Sequence, residues 1–221
     1  MASALELPDV PRWVEAHGIA SDPAGWQQRC GRGFALGHDA AHLIVVAGDV
    51  DADAIAALAA GHPAHALLVA SERADLASAT KRLHERAILH ELPDADALPD
   101  STGAIALDAV PDALPEPLAH ELAWALARGP VWSAWVDGAP ASFAYAPWRS
   151  AAWFDVSVDT LPGARQLGLG AIVAAAMIRD ERARGREPVW GANASNAASL
   201  ALARRLGFVA VDDCWVCAPE A

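Results

Sequence analysis

Eleven residues constrain this chain most: Thr160-Leu161-Pro162-Gly163-Ala164-Arg165-Gln166-Leu167-Gly168-Leu169-Gly170. They follow an apolar stretch that reads as a strand, turn at Pro162-Gly163, and run into a long apolar segment with helical spacing. Gly168 and Gly170 present no Cβ, so another group can approach the backbone there. The first turn of a helix carries unpaired N–H groups and partial positive charge, a combination that binds phosphate. Gly168 and Gly170 also suit close helix–sheet packing, and Pro162-Gly163 is an ordinary turn pair, so a packing-only reading stands beside the phosphate one.

The known glycine loops do not account for this segment. A dinucleotide fingerprint needs a third glycine where Val173 stands, and an acid on the next strand where Trp190 stands. A P-loop needs Gly-Lys-Ser/Thr and a serine-hydrolase elbow needs G-x-S-x-G; the chain has neither.

The rest of the chain sets the frame. Segments 42–47, 65–70 and 86–92 read as strands, alternating with helices over 52–60 and 72–83, which implies an α/β layer. A short helix is expected at 12–17, while prolines and glycines break up the remainder of the first forty residues. The acidic, proline-punctuated stretch 93–100 is the expected linker, giving an N-terminal α/β part over 1–100 and a second part over 101–221. In the second part a helix is expected at 117–128. Strands follow at 131–136 and 141–146 around the hairpin signal Asp137-Gly138, and another at 153–160. The helix after the glycines should reach about residue 184, with Leu169, Ile172, Val173, Ala176 and Met177 as one apolar stripe. A strand at 188–192, a helix from Ser195 or Asn196 to Gly207, and strands at 208–211 and 214–217 close the sheet.

With 54% apolar and 20% charged residues, 221 residues suffice for a sizeable core. The formal charge of −12 argues against nucleic acid and anionic membrane as partners. No apolar run is long enough to span a bilayer, and the start lacks the pattern of a secretory signal, so the cytoplasm is expected. The three cysteines, Cys30, Cys214 and Cys217, read as buried thiols. His38 with His42, and His62 with His65, are spaced as metal ligands can be, but neither pair has an evident third ligand, so no metal is expected.

Arg165-x-x-Gly168-x-Gly170 after a strand, followed by Asn196-x-x-Ser199 and Leu206-Gly207-Phe208, resembles the GNAT superfamily of acyl-CoA-dependent N-acyltransferases. The resemblance covers about residues 131–217. It implies a mixed α/β sheet, α+β in character, with two strands splayed apart in the C-terminal half. The smaller N-terminal α/β part is then either a degenerate copy of that fold or an acceptor-binding addition. It further implies acetyl-CoA as donor, with its pantetheine arm along Val158, Asp159 and Thr160. The pyrophosphate would lie on the N–H groups of Arg165, Gln166, Leu167, Gly168, Leu169 and Gly170. Asn196 and, less directly, Ser199 would also touch the cofactor, although Ser195 and Asn196 are equally residues that cap a helix. The acceptor would be an amine of a small molecule or peptide, with a homodimer compatible, and the Val158 N–H would meet the oxyanion. At the family's glutamate and tyrosine positions stand Phe154 and Ala203. Base and acid must come from elsewhere: Asp155 and Asp159 share one strand face, and Tyr145, the only tyrosine, lies on the neighbouring strand. These vacancies also allow a catalytically silent acyl-CoA sensor. Trp132, Trp135, Trp148 and Trp153 either line an acceptor pocket or belong to the core.

Overall fold

A computed structural model describes residues 7–94, 96, 98–112 and 114–219 of the chain. Ala95 and Ala97 of the expected linker lie outside the described residues. The fold is mixed α/β, and it divides into two compact units that are not consecutive in sequence. One comprises residues 1–89, 191–197 and 210–221; the other comprises 90–190 and 198–209.

In the first unit a 3-10 turn at Pro11–Trp13 leads into α1 (Val14–Ser21). Strands β1 (Gly25–Cys30), β2 (Gly33–His38) and β3 (Leu43–Ala47) form an antiparallel run. Helix α2 (Ala52–Gly61) then carries the chain to β4 (Ala66–Ala70), parallel to β3. Helix α3 (Ala74–Ala79) and β5 (His84–Glu91) follow. Ile44, Val46, Ile55, Leu58, Leu67 and Leu76 build the core. The hairpin β1–β2 lies where the sequence reading found only breakers: β1 is solvated at Gln27, Gln28 and Arg29, so no apolar alternation marks it. Helix α3 is shorter than expected because Lys81 takes a positive φ of 59°.

The second unit opens with β6 (Ala104–Ala106) and α4 (Glu116–Leu126), then β7 (Trp132–Val136) and β8 (Ala139–Tyr145). The β7–β8 turn uses Asp137 and Gly138, both at positive φ, as its Asp-Gly signal predicts. The next strand is two segments, β9 (Trp153–Asp155) and β10 (Ser157–Thr160), and α5 (Leu169–Ala183) leads from it to β11 (Glu187–Asn193). Helix α6 (Ala197–Arg205) and β12 (Val209–Cys217) complete the chain. Strands β5, β11 and β12 and helix α6 have residues in both units. Beyond Gly207, β12 is one continuous strand rather than two, and its residues 214–217 pair with β4.

Strands β10, β8, β7 and β6 form an antiparallel sheet on which α5 packs. Burial of α5 is broader than the predicted stripe: Ala171 and every residue from Val173 to Ile178 are buried, while Leu169 and Ile172 are only half so. The alanines make this possible, because small side chains let the helix lie close to the sheet. On the other face Phe143, Leu122, Ala125, Val131 and Tyr145 form a second cluster. Phe143 is fully buried, and replacing it by alanine would cost about 3–5 kcal/mol. The stretch after β5 is tied to α5: Arg179 donates to the Leu98 carbonyl and to Ser101, and Arg182 to the Leu92 carbonyl. The three cysteines are free and buried, and burial raises each thiol, Cys214 to about 12.

Element order repeats along the chain. A helix, an antiparallel run, a crossover helix, a parallel strand, a helix and a strand occur first as α1 to β5 and again as α4 to β12.

Candidate active site

Main-chain geometry builds this site. Strand β9 pairs with β11 in parallel through Asp155↔Val189, and the Val156 N–H donates to the Val189 carbonyl at 2.9 Å. From Ser157 onward the chain pairs with β8 instead. Backbone direction alternates without a break: Asp155 N–H donates to the Trp148 carbonyl, Val156 N–H to Val189, and Leu161 N–H to Ala141. By that alternation the N–H groups of Val158 and Thr160 point away from β8, on the side where the β11 pairing has ended. The strand therefore offers an open main-chain edge just before the glycine loop.

The loop is shaped to expose its amides. A 3-10 turn at Pro162–Ala164 is followed by Gln166 at φ 65° and Gly168 at φ 82°. The first main-chain bonds of α5 run from Ala171 and Ile172 to the Gly168 carbonyl. Among the described residues, the N–H groups of Gln166, Leu167, Gly168, Leu169 and Gly170 donate no main-chain bond outside it. No side chain caps α5, and its first turn holds no acid. A Cβ on Gly170 would sit 3.3–3.4 Å from Leu202, Thr160 and Val158, so glycine lets the helix start lie against β10. Arg165, Gln166 and Leu167 are exposed, and the Arg165 Nε donates back to the Thr160 carbonyl at 3.4 Å.

Beside this edge lies an acid–phenol cluster. The Tyr145 hydroxyl is 2.9 Å from Asp159 Oδ2 and 2.7 Å from Glu121 Oε2. The register explains it: Tyr145 opposes Ser157, so its ring shares a sheet face with Asp159, and α4 lays Glu121 over that face. One hydroxyl carries one hydrogen, so it satisfies one carboxylate; the second contact is a hydrogen bond only when that carboxyl holds a proton. Burial and the two carboxylates push the phenol well above its ordinary range. Asp155 is half-buried, and burial pushes its carboxyl up to about 7.

Of the predicted residues, Tyr145 and Asp159 are brought into contact and Val158, Thr160 and the 165–170 loop are contiguous. Ser199 accepts a hydrogen bond from the Trp190 indole at 2.9 Å. The Asn196 N–H donates to the Asn193 carbonyl ahead of α6. Phe154 and Ala203 are fully buried. Of the tryptophans, Trp148 is buried edge-on to Trp124, whereas Trp135 is exposed with its indole on Ser133. Glu121 was missed by the sequence reading because it stands 24 positions from its partner on a different element.

Behind the site, Glu181 on α5 is fully buried and accepts from Arg149 at 2.9 and 2.8 Å and from Arg186 at 2.7 Å. Burial alone would raise this carboxyl, but the two guanidinium groups outweigh it and hold it below its usual range. Among the described residues, no helix is long and apolar enough to cross a membrane.

A strand that leaves its parallel neighbour at a glycine-initiated helix is the layout of GNAT proteins. Residues 133–216 match the family model described as GNAT acetyltransferase. Solved structures agree on the fold. A GCN5-related N-acetyltransferase from Kribbella flavida is 18% identical, with a TM-score of 0.66 over 95% of each chain. A GCN5-related N-acetyltransferase-like protein from Streptococcus suis is 20% identical, with a TM-score of 0.60 over 89% of this chain and 84% of its own. A tandem GNAT protein from the clavulanic acid biosynthesis pathway is 16% identical, with a TM-score of 0.54 over 93% of this chain and 92% of its own. No curated protein matches the chain. Residues 133–216 thus match the GNAT acetyltransferase model, and the chain shares its fold with solved GNAT structures.

Proposed function

We propose that this protein transfers an acetyl group from acetyl-CoA to an amine of a small molecule or peptide in the cytoplasm. The carrying observation is the row of amides from Gln166 to Gly170 that donate no main-chain bond among the described residues, opening a helix with no acid in its first turn. A pyrophosphate there leaves the pantetheine arm to run along Val158, Asp159 and Thr160, bonding the outward main-chain groups of that edge. The Val158 N–H then meets the developing oxyanion. Asn196 and Ser199 are assigned to the cofactor by family likeness only; the bond from Trp190 favours a positioning role for Ser199.

An alkyl ammonium titrates near 10 and must lose a proton before it attacks. Asp155 suits the base, since a carboxyl raised to about 7 matches the operating pH. Tyr145 stays protonated and its hydrogen already serves a carboxylate, so we give it, with Asp159 and Glu121, the task of orienting the incoming ammonium. We read the N-terminal part, 1–100, as a degenerate copy of the fold preceding a catalytic part at 101–221. The repeated element order and the tandem GNAT neighbour support that reading.

The buried Phe154 and Ala203 favour a second reading, an acyl-CoA sensor without turnover. Thiol release measured across an amine panel, beside calorimetry with acetyl-CoA, separates the two. Amine-dependent release supports the enzyme; binding without release with any amine supports the sensor; absence of binding removes both.

A further inference from the structure

In the first unit, away from the glycine loop, two chain segments bring together a carboxylate and two imidazoles. Ligand atoms of Asp39, His62 and His65 lie within 4.8 Å of one another. His65 Nε2 is 3.1 Å from Asp39 Oδ1. Two zinc bonds of ~2.0–2.1 Å at a tetrahedral angle set their donor atoms ~3.3 Å apart, so this pair already has ligand spacing. The half-buried His62 completes the set, with its ligand atom within 4.8 Å of the other two.

The surroundings hold these groups in place. The Trp26 indole N–H donates to Asp39 Oδ1 at 2.8 Å and the same ring stacks on His62 at 4.9 Å, fixing two of the three at once. Buried Arg82 donates to the carbonyls of Ala59 and His65, both at 2.5 Å, and of His62 at 2.9 Å, clamping the loop that carries both histidines. Asp39 opens a 3-10 turn that ends at His42, whose backbone is left-handed at φ 48° and whose ring meets His65 edge-on at 5.5 Å. Such orientation by outer partners is what a metal ligand set needs. His65 is more than nine-tenths buried, so the fold holds its ring with Nε2 turned to Asp39. The approach is open, because Asp39 and His42 are exposed.

We infer that Asp39, His62 and His65 bind one divalent transition-metal ion, zinc foremost, with a fourth position that water or exposed His42 fills. Two imidazoles and one carboxylate suit zinc, nickel or copper rather than magnesium or calcium. The sequence reading found no third ligand for His62 and His65; the fold supplies Asp39 from 23 residues upstream of His62.

Tag-free full-length protein, stripped with chelator and titrated with Zn²⁺ and then Co²⁺, tests this. The expected result is one ion per chain, a metal-dependent rise in thermal midpoint, and a visible absorption band with cobalt. His62→Ala and His65→Ala should each weaken zinc at least tenfold and Asp39→Asn by a similar factor, while His84→Ala leaves it unchanged. Should His65→Ala fail to fold, His62→Ala and Asp39→Asn decide, since both positions reach solvent. Failure to bind zinc stoichiometrically in the wild type, or wild-type affinity retained in the ligand variants, overturns the inference.

Discussion

Where β3 runs into α2 and where β10 runs into α5, the chain makes the same move. A strand ends, a short loop turns, and a helix carries the chain to a parallel strand. What stands at the two helix starts is opposite. At α2 the Asp51 side chain accepts from the Ala54 N–H at 2.7 Å, Asp53 lies in the first turn and Asp49 just before, so the chain's own carboxylates occupy the positive end. At α5 the first turn holds no acid and no side chain caps it, and among the described residues the amides of Gln166 to Gly170 donate no main-chain bond. The preceding strands differ likewise: β3 is wholly apolar, whereas β9 and β10 carry Asp155 and Asp159. One fold plan therefore yields a self-capped junction and a junction with no side-chain cap.

Other features are shared. Both crossover helices end at guanidinium groups, Arg82 on carbonyls at the end of α2, Arg149 and Arg186 on Glu181 near the end of α5. The scaffold is thus common and the helix start is what distinguishes the two junctions.

Four substitutions press on this contrast. Asp155→Asn should have the largest effect, lowering kcat/KM by about 10²–10⁴-fold and removing the limb near pH 7 above which the wild type gains its base form. A pH–rate profile checks both; an unshifted limb in Asp155→Asn would assign it to another group. Glu181→Gln leaves two arginines facing a buried neutral amide and should cost about 3–5 kcal/mol in denaturant unfolding. Its folded value lies below the ordinary 4.5, so its stabilisation is complete above about pH 4.5 and is lost as pH falls through the folded value. Acid unfolding should start at higher pH in the wild type than this one group requires only if further carboxylates contribute.

Gly168→Asp makes the α5 junction resemble the α2 junction. It places a non-glycine residue at φ 82° and a carboxylate against the anion site, and should weaken acetyl-CoA by about 100-fold in calorimetry. The smallest effect is expected from Asp51→Ala, which removes the α2 cap. Stability should fall by about 1 kcal/mol with CoA affinity unchanged, read by thermal melts beside the same calorimetry.

Features written locally were legible in the sequence: the alternation of strands and helices, the Asp137-Gly138 turn, and the strand–glycine–helix passage at 160–170. Those that depend on chain reversal were not. Strand β1 is polar where it meets solvent, and β6 is three residues of mostly exposed chain, so neither carries a periodic signal. Side-chain clusters fared the same way. Tyr145 and Asp159 were singled out separately, but their junction with Glu121 depends on the β8–β10 register and on α4 lying over that face. Asp39 joined His62 and His65 only once β3 and β4 lay side by side. Conversely, the spacing rule for α5 predicted too narrow a stripe, because alanines accept burial on several sides of a helix.

The structure of the protein crystallised with acetyl-CoA bears most directly on the contrast between the two junctions. The diphosphate oxygens should lie within about 3 Å of the amide nitrogens of Gln166 to Gly170, with the thioester beside Val158. A diphosphate bound anywhere else, or an α5 start that closes on its own side chains while the coenzyme is present, would contradict it.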